Sequence, residues 1–270
     1  MAHLRCEFFA ESLTLSTSMT VILPERATGQ IGMGGALSDT PPPVLYLLHG
    51  LSDDDTIWLR RTSIERYVSS LGLAVVMPQV HRSFYTDEAY GEKFWTFVSE
   101  ELPAVVQSFF RVSAEPADTY VAGLSMGGYG AFKLALRHPD RYAAAASLSG
   151  ALAFSAASDS EEVVRSAIMT RIFGEQRAAG TDDDLFHLLE TADPATLPPL
   201  FLTCGTDDFL VEENHRFVDA CATRGVDLLS SFAPGEHEWG YWDTHIQQVL
   251  AWIWDLRGSA GASRLVDGVS

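Results

Sequence analysis

The pentapeptide Gly123-Leu124-Ser125-Met126-Gly127 fits the pattern G-x-S-x-G. A serine hydroxyl is a poor nucleophile until a base takes its proton. The setting gives the pattern its weight. Residues 119–122 read as a strand just before it, and residues 128–135 as a helix just after it. A nucleophile elbow needs that strand–turn–helix order. The sharp turn holds the serine in a strained conformation with its hydroxyl exposed, and strand and helix crowd until the flanking positions have room only for glycine. The competing reading is a Gly-rich turn capped by a serine, which leaves the flanking elements without a purpose.

Such a serine needs an acid and a base, which in this arrangement follow it in chain order. Residues 200–204 form an apolar run that ends in Gly205-Thr206-Asp207-Asp208-Phe209-Leu210. A carboxylate there would orient an imidazole and stabilise its charged form. Asp208 is chosen because it stands three residues after the glycine and before an apolar pair, with Asp207 as its rival. One of the two is left to cap the next helix. The last strand-like run, 228–232, leads into Ala233-Pro234-Gly235-Glu236-His237-Glu238-Trp239. His237 is therefore the base, since imidazoles ordinarily titrate near about 6.5. The other seven of the eight histidines lie on strands, helices or early loops, where structural or surface roles suit them.

An oxyanion would form at the substrate carbonyl and need two backbone N–H donors. One comes from the residue after the nucleophile, Met126, and the other from an early strand–helix loop. Residues 44–48 run into His49-Gly50-Leu51-Ser52, which places the second donor at Leu51. Gly50 lets the backbone approach a substrate closely. Trp58 and Trp239 are the aromatic candidates for substrate contact, whereas Trp95 reads as core.

The elements that must hold these residues alternate. Residues 3–9 and 12–23 read as antiparallel strands, and 28–43 as a Gly- and Pro-rich loop. Runs at 44–48, 74–78, 120–122, 143–148, 200–204 and 228–232 read as buried strands, and 62–71, 94–110, 126–137, 212–224 and 241–256 as helices. The expectation is an α/β-hydrolase fold: a mostly parallel central sheet with helices on both faces and the site at the carboxyl ends of the strands. Residues 1–257 form one domain. An insertion at 151–196, helical at 161–173 and 183–190, reads either as a small cap or as a peripheral excursion. Residues 258–270 read as a flexible tail.

Composition narrows the function. A chain of 270 residues with 47% hydrophobic content can bury a sizeable core, and a net charge of −18 argues against nucleic acid and anionic membranes as partners. The acidic triplets Asp53-Asp54-Asp55 and Asp182-Asp183-Asp184 read as solvated loop acids or helix caps. Three cysteines without paired spacing imply neither a disulfide framework nor a zinc site, and Cys204 reads as core. No HExxH-like spacing calls for a metal. No apolar stretch could span a bilayer and the N-terminus lacks a signal-peptide core, so a cytoplasmic location is expected.

Together, His49-Gly50-Leu51-Ser52, Trp58-Leu59-Arg60-Arg61-Thr62, Val76-Met77-Pro78, residues 123–131, residues 205–210 and His237-Glu238-Trp239 resemble the tributyrin-esterase branch of the esterase D superfamily. The resemblance runs from about Phe8 to Leu256. It implies hydrolysis of carboxylic esters with short acyl groups, acetyl to butyryl, no cofactor, and homo-oligomers among the relatives. The superfamily also holds S-formylglutathione hydrolases and mycolyltransferases. The same triad could therefore serve a glutathione thioesterase or an acyltransferase, and a catalytically dead binding module would need the triad to be broken.

Overall fold

The computed structural model describes residues 1–27, 29, 31–32, 34–36, 38–153, 167–176 and 178–267. Strand β1 (Ala2–Ala10) alternates between half-buried and exposed positions, as a strand with one covered face must. It pairs antiparallel with β2 (Leu15–Leu23), which pairs antiparallel with β4 (Ala74–Pro78). From there the sheet is parallel, through β3 (Val44–Leu48), β5 (Thr119–Leu124), β6 (Ala144–Leu148), β7 (Leu200–Gly205) and β8 (Leu228–Ala233). Among the described residues the order is β1-β2-β4-β3-β5-β6-β7-β8.

Central strands read as unbroken apolar runs because both faces of the sheet are covered. In β3, Val44, Tyr46 and Leu48 join one core and Leu45 and Leu47 the other. Helices α1 (Ile57–Arg61) and α2 (Ile64–Val68) pack on the second face. The first core takes α3 (Phe94–Thr96), a π-helical turn (Phe97–Glu101), α4 (Leu102–Phe109) and α5 (Met126–Arg137). Helices α6 (Ala167–Phe173), α7 (Leu185–Thr191) and α8 (Val211–Arg224) also join the first core. The apolar residues Trp242, Ile246, Val249 and Ile253 of α9 (Trp239–Asp267) join the second core.

Several elements differ from expectation, each for a local reason. The helix expected at 62–71 shortens to α2, and α1 precedes it outside that range, because Thr62 turns extended between the two. Its hydroxyl donates to the Trp58 carbonyl at 2.6 Å and accepts from the Ile64 N–H at 3.1 Å. A threonine side chain thus replaces helical backbone bonds. The helix expected at 94–110 contains the π turn just before Pro103, which has no N–H to give. Arg141 donates to the Ser99 carbonyl there at 2.8 Å. Strand β8, expected to be buried, is the sheet's edge and leaves Leu229 half exposed. Helix α9 continues past Leu256, where the apolar pattern ends, to Asp267.

In the segment 151–196, residues 154–166 lie outside the described residues, and with them the first part of the helix expected at 161–173. At its start the Ala151 N–H donates to the Ser125 carbonyl at 3.1 Å, just past the carboxyl end of β5. Asp184 caps α7 through the Phe186 N–H, and Asp183 pairs with the buried Lys133 of α5 at 2.5 Å. Among the described residues, no helix is long and apolar enough to cross a membrane.

Candidate active site

Four strand ends build the site. Where β5 stops, Ser125 adopts φ 52° and ψ −116°, a region that costs a side-chain-bearing residue energy, and α5 starts at the next residue. The surrounding contacts impose the turn. A Cβ on Gly123 would stand 2.3 Å from the Gly127 carbonyl oxygen, and a Cβ on Gly127 would stand 2.5 Å from that of Leu48. Both flanking positions are therefore closed to any side chain. The Ser125 N–H donates to the Leu148 carbonyl at 2.9 Å, which ties the turn to β6.

The ends of β7 and β8 bring the acid and the imidazole together. Asp208 is buried, and its Oδ2 lies 2.9 Å from His237 Nδ1. His237 Nε2 lies 3.1 Å from Ser125 Oγ. Burial pushes the Asp208 carboxyl up. Hydrogen bonds from His237, the Leu210 N–H and the Ser149 hydroxyl outweigh it and hold the group below its usual range. The carboxylate is thus charged at neutral pH. Asp207 points elsewhere: it is exposed, and its carboxylate accepts from its neighbour Thr206. The imidazole is wedged between Phe209, 4.5 Å away between ring centres, and Trp242, edge-on at 4.9 Å.

The loop after β3 is anchored one peptide at a time. His49 is fully buried, and burial lowers its affinity for a proton. Its Nε2 accepts the Val80 N–H at 3.1 Å, so its Nδ1 carries the hydrogen and donates to the Gly50 carbonyl at 2.7 Å. The Asp53 N–H donates to the same carbonyl at 3.3 Å. Carbonyl and N–H of a trans peptide point in opposite directions, so fixing Gly50 O also fixes the Leu51 N–H. Met126 is the first residue of α5, so its N–H is one of those with no acceptor inside the helix. Close packing of Gly127 on Leu48 brings these two backbone segments side by side.

A pocket of about 480 Å³ opens over Ser125, lined by Gly50, Leu51, Asp53, His237, Trp239 and Trp242 among others. A cavity of about 540 Å³ between Tyr90, Phe173 and Asp183 is larger, but no histidine among the described residues lines it. The smaller one holds the hydroxyl and the imidazole. None of the described residues of 151–196 lines the Ser125 pocket.

Of the residues expected to meet substrate, Gly50 and Trp239 line the pocket, and Trp58 does not. Trp58 is 1% exposed, donates Nε1–H to the Leu48 carbonyl at 3.1 Å, and backs Trp239 edge-on at 5.3 Å. A large apolar ring following the sharp loop packs beneath it. Trp58→Ala is expected to cost about 3–5 kcal/mol of stability. Urea denaturation measures this, and a loss under about 1 kcal/mol would contradict the packing role. Phe209, Trp242 and Ser149 were not singled out in the sequence. Trp242 had a legible signal, since it stands three residues after Trp239 on one helix face. The acidic triplet departs in part from expectation: Asp55 is a buried acceptor for Ser18 and Thr20, at 2.9 and 2.8 Å, and not a solvated acid.

A hydroxyl, an imidazole and a buried carboxylate in a row, at the carboxyl ends of a mostly parallel α/β sheet, form the kind of site that serine hydrolases carry. Comparison with known proteins agrees. Residues 21–253 match the Esterase family, and the chain belongs to it. It is a carboxylic ester hydrolase. It is 28% identical over 262 residues to an acetyl esterase of Caldicellulosiruptor saccharolyticus, covering 94% of this chain and 98% of that protein. The substrate-bound fluorophosphonate-binding serine hydrolase F of Staphylococcus aureus is 33% identical, with a TM-score of 0.84 over 93% of this chain and 98% of that one. An S-formylglutathione hydrolase of the same organism is 32% identical, with a TM-score of 0.79 and the same coverage.

Proposed function

We propose that the chain is a serine carboxylesterase of the α/β-hydrolase fold that cleaves short-chain acyl esters through an acyl-enzyme. The observation that carries this is the continuous link from Ser125 Oγ through His237 to Asp208. Asp208 accepts from Nδ1–H and leaves the Nε2 lone pair facing the hydroxyl. As Ser125 Oγ attacks the ester carbonyl carbon, its proton passes to Nε2. The carbonyl π electrons move to oxygen, where the Leu51 and Met126 N–H groups stabilise the charge by about 3 kcal/mol each. Collapse expels the alkoxide, which takes the proton from Nε2. Water then repeats the sequence on the acyl-enzyme and releases the acid. No step calls for a metal or a redox cofactor.

The short-acyl reading rests on the similarity to the acetyl esterase and on the aromatic wall, where Trp239 and Trp242 meet edge-on at 5.2 Å with Trp58 behind them. Each added methylene could gain about 0.8 kcal/mol if buried, but a braced wall imposes a steric cost instead. With p-nitrophenyl esters from acetyl to dodecanoyl, below micellar concentrations, kcat/KM should peak between acetyl and butyryl. A maximum at octanoyl or beyond would overturn the short-acyl reading and its placement in the tributyrin-esterase branch.

A second reading, S-formylglutathione hydrolase, is favoured by the similarity to the staphylococcal enzyme of that name. A side-by-side assay decides: the glutathione thioester would have to exceed simple oxyesters by orders of magnitude in kcat/KM. We place the enzyme in the cytoplasm, as its three free cysteines suit a reducing compartment.

A further inference from the structure

The pocket over Ser125 has an uneven charge. Its lining carries two acids besides the triad, Asp53 and Glu238, and no lysine or arginine among the described residues. Asp53 is partly buried, and its Oδ2 holds the Gly50 N–H at 3.2 Å. A Cβ on Gly50 would lie 2.8 Å from that oxygen and 3.8 Å from the Ser125 Cβ, so the carboxylate stands close to the reacting centre. The nearby guanidinium of Arg60 is bound to both oxygens of Asp54, at 3.0 Å each, and faces that acid instead.

A negative charge beside an oxyanion site opposes the developing alkoxide, so it does not serve the chemical step. It is useful where the substrate brings a compensating positive charge. The alcohol half must lie next to His237, because the imidazole that took the Ser125 proton returns it to the leaving oxygen. The walls around His237 are Phe209, Glu238, Trp239 and Trp242. Phe209 is 75% exposed, an aromatic face open at the pocket mouth. Aromatic faces attract a quaternary ammonium group through their ring quadrupole, and a nearby carboxylate adds Coulomb attraction. The chain's net charge of −18 adds a long-range field of the same sign.

We propose that Asp53 and Glu238 make this pocket select esters of cationic alcohols, those of quaternary ammonium alcohols above all, and discriminate against anionic ones. The proposal rests on the serine esterase reading. It also works against glutathione thioesters, whose two carboxylates would enter an acidic mouth.

The test compares acetylcholine with its uncharged isostere, 3,3-dimethylbutyl acetate, at low ionic strength and about pH 8, chosen well above the ordinary carboxyl range because burial pushes the Asp53 carboxyl up. A unit charge a few ångströms away in a partly screened site is worth about tenfold. The wild-type ratio of kcat/KM, cationic over neutral, should be about ten or more and should fall in high salt. In Asp53→Asn with Glu238→Gln that ratio should fall about tenfold. Intrinsic reactivity differences between the two esters cancel in this comparison. Glu238→Gln alone, at an exposed position, should lower the ratio about threefold and covers the case in which the double variant does not fold. A ratio that both variants leave within about twofold of wild type overturns the proposal. Hydrolysis of the neutral isostere at an equal rate in wild type overturns the charge selection alone. Hydrolysis of neither ester, with Ser125 not labelled by a fluorophosphonate, would overturn the esterase reading itself.

Discussion

Ser125→Ala is expected to lower kcat for p-nitrophenyl acetate by about 10⁴–10⁶ while the protein stays folded. The hydroxyl lies 3.1 Å from His237 Nε2, and its removal leaves a pocket that still binds and polarises the ester but has no nucleophile. Residual acceleration over water would come from the Leu51 and Met126 N–H groups. Alanine keeps the side chain small at a backbone position already strained, with φ 52°, so the melting temperature should change little. The same substitution should abolish covalent labelling by a fluorophosphonate. Retention of a tenth of wild-type turnover would remove Ser125 from the mechanism.

Asp208→Asn should lower kcat by about 10⁴, whereas Asp207→Asn should change it by less than about twofold. An amide at position 208 keeps the size of the carboxyl and can still accept the Leu210 N–H, which Oδ1 takes at 2.8 Å. What changes is the proton pattern. An amide N–H facing Nδ1 favours the tautomer with hydrogen on Nε2, which then points a donor at Ser125 where an acceptor is needed. The charge that stabilises the imidazolium is lost as well. Asp207 is exposed and reaches neither histidine nor serine. Paired kinetics of the two variants at neutral pH decide the matter, and the opposite ranking would transfer the role to Asp207.

Much of this geometry was legible in the chain because it depends on local rules. Gly123 and Gly127 stand where a side chain would strike the Gly127 and Leu48 carbonyls, so the elbow is written in the glycines themselves. The short apolar runs of β3 and β4 fall at the residues expected, because a strand covered on both faces has nothing but apolar positions. The order serine, acid, histidine follows from the order of the parallel strands.

Tertiary structure decided what depends on distant neighbours. Asp207 and Asp208 are adjacent and chemically equal; only the approach of the loop after β8 makes Asp208 the partner of His237. Thr62, expected to open a helix, instead turns extended between α1 and α2, because its hydroxyl captures backbone groups of both flanking segments. Trp58 and Trp239 look alike along the chain, yet one supports and the other lines the pocket, a choice made by the packing of α1 against the start of α9. Among the three consecutive aspartates, Asp55 is drawn inward by Ser18 and Thr20 of β2, Asp54 pairs with Arg60, and Asp53 faces the pocket. A sequence places charges in order, but their burial and partners are set by which strands and helices meet, and there the energetics of a carboxylate are decided.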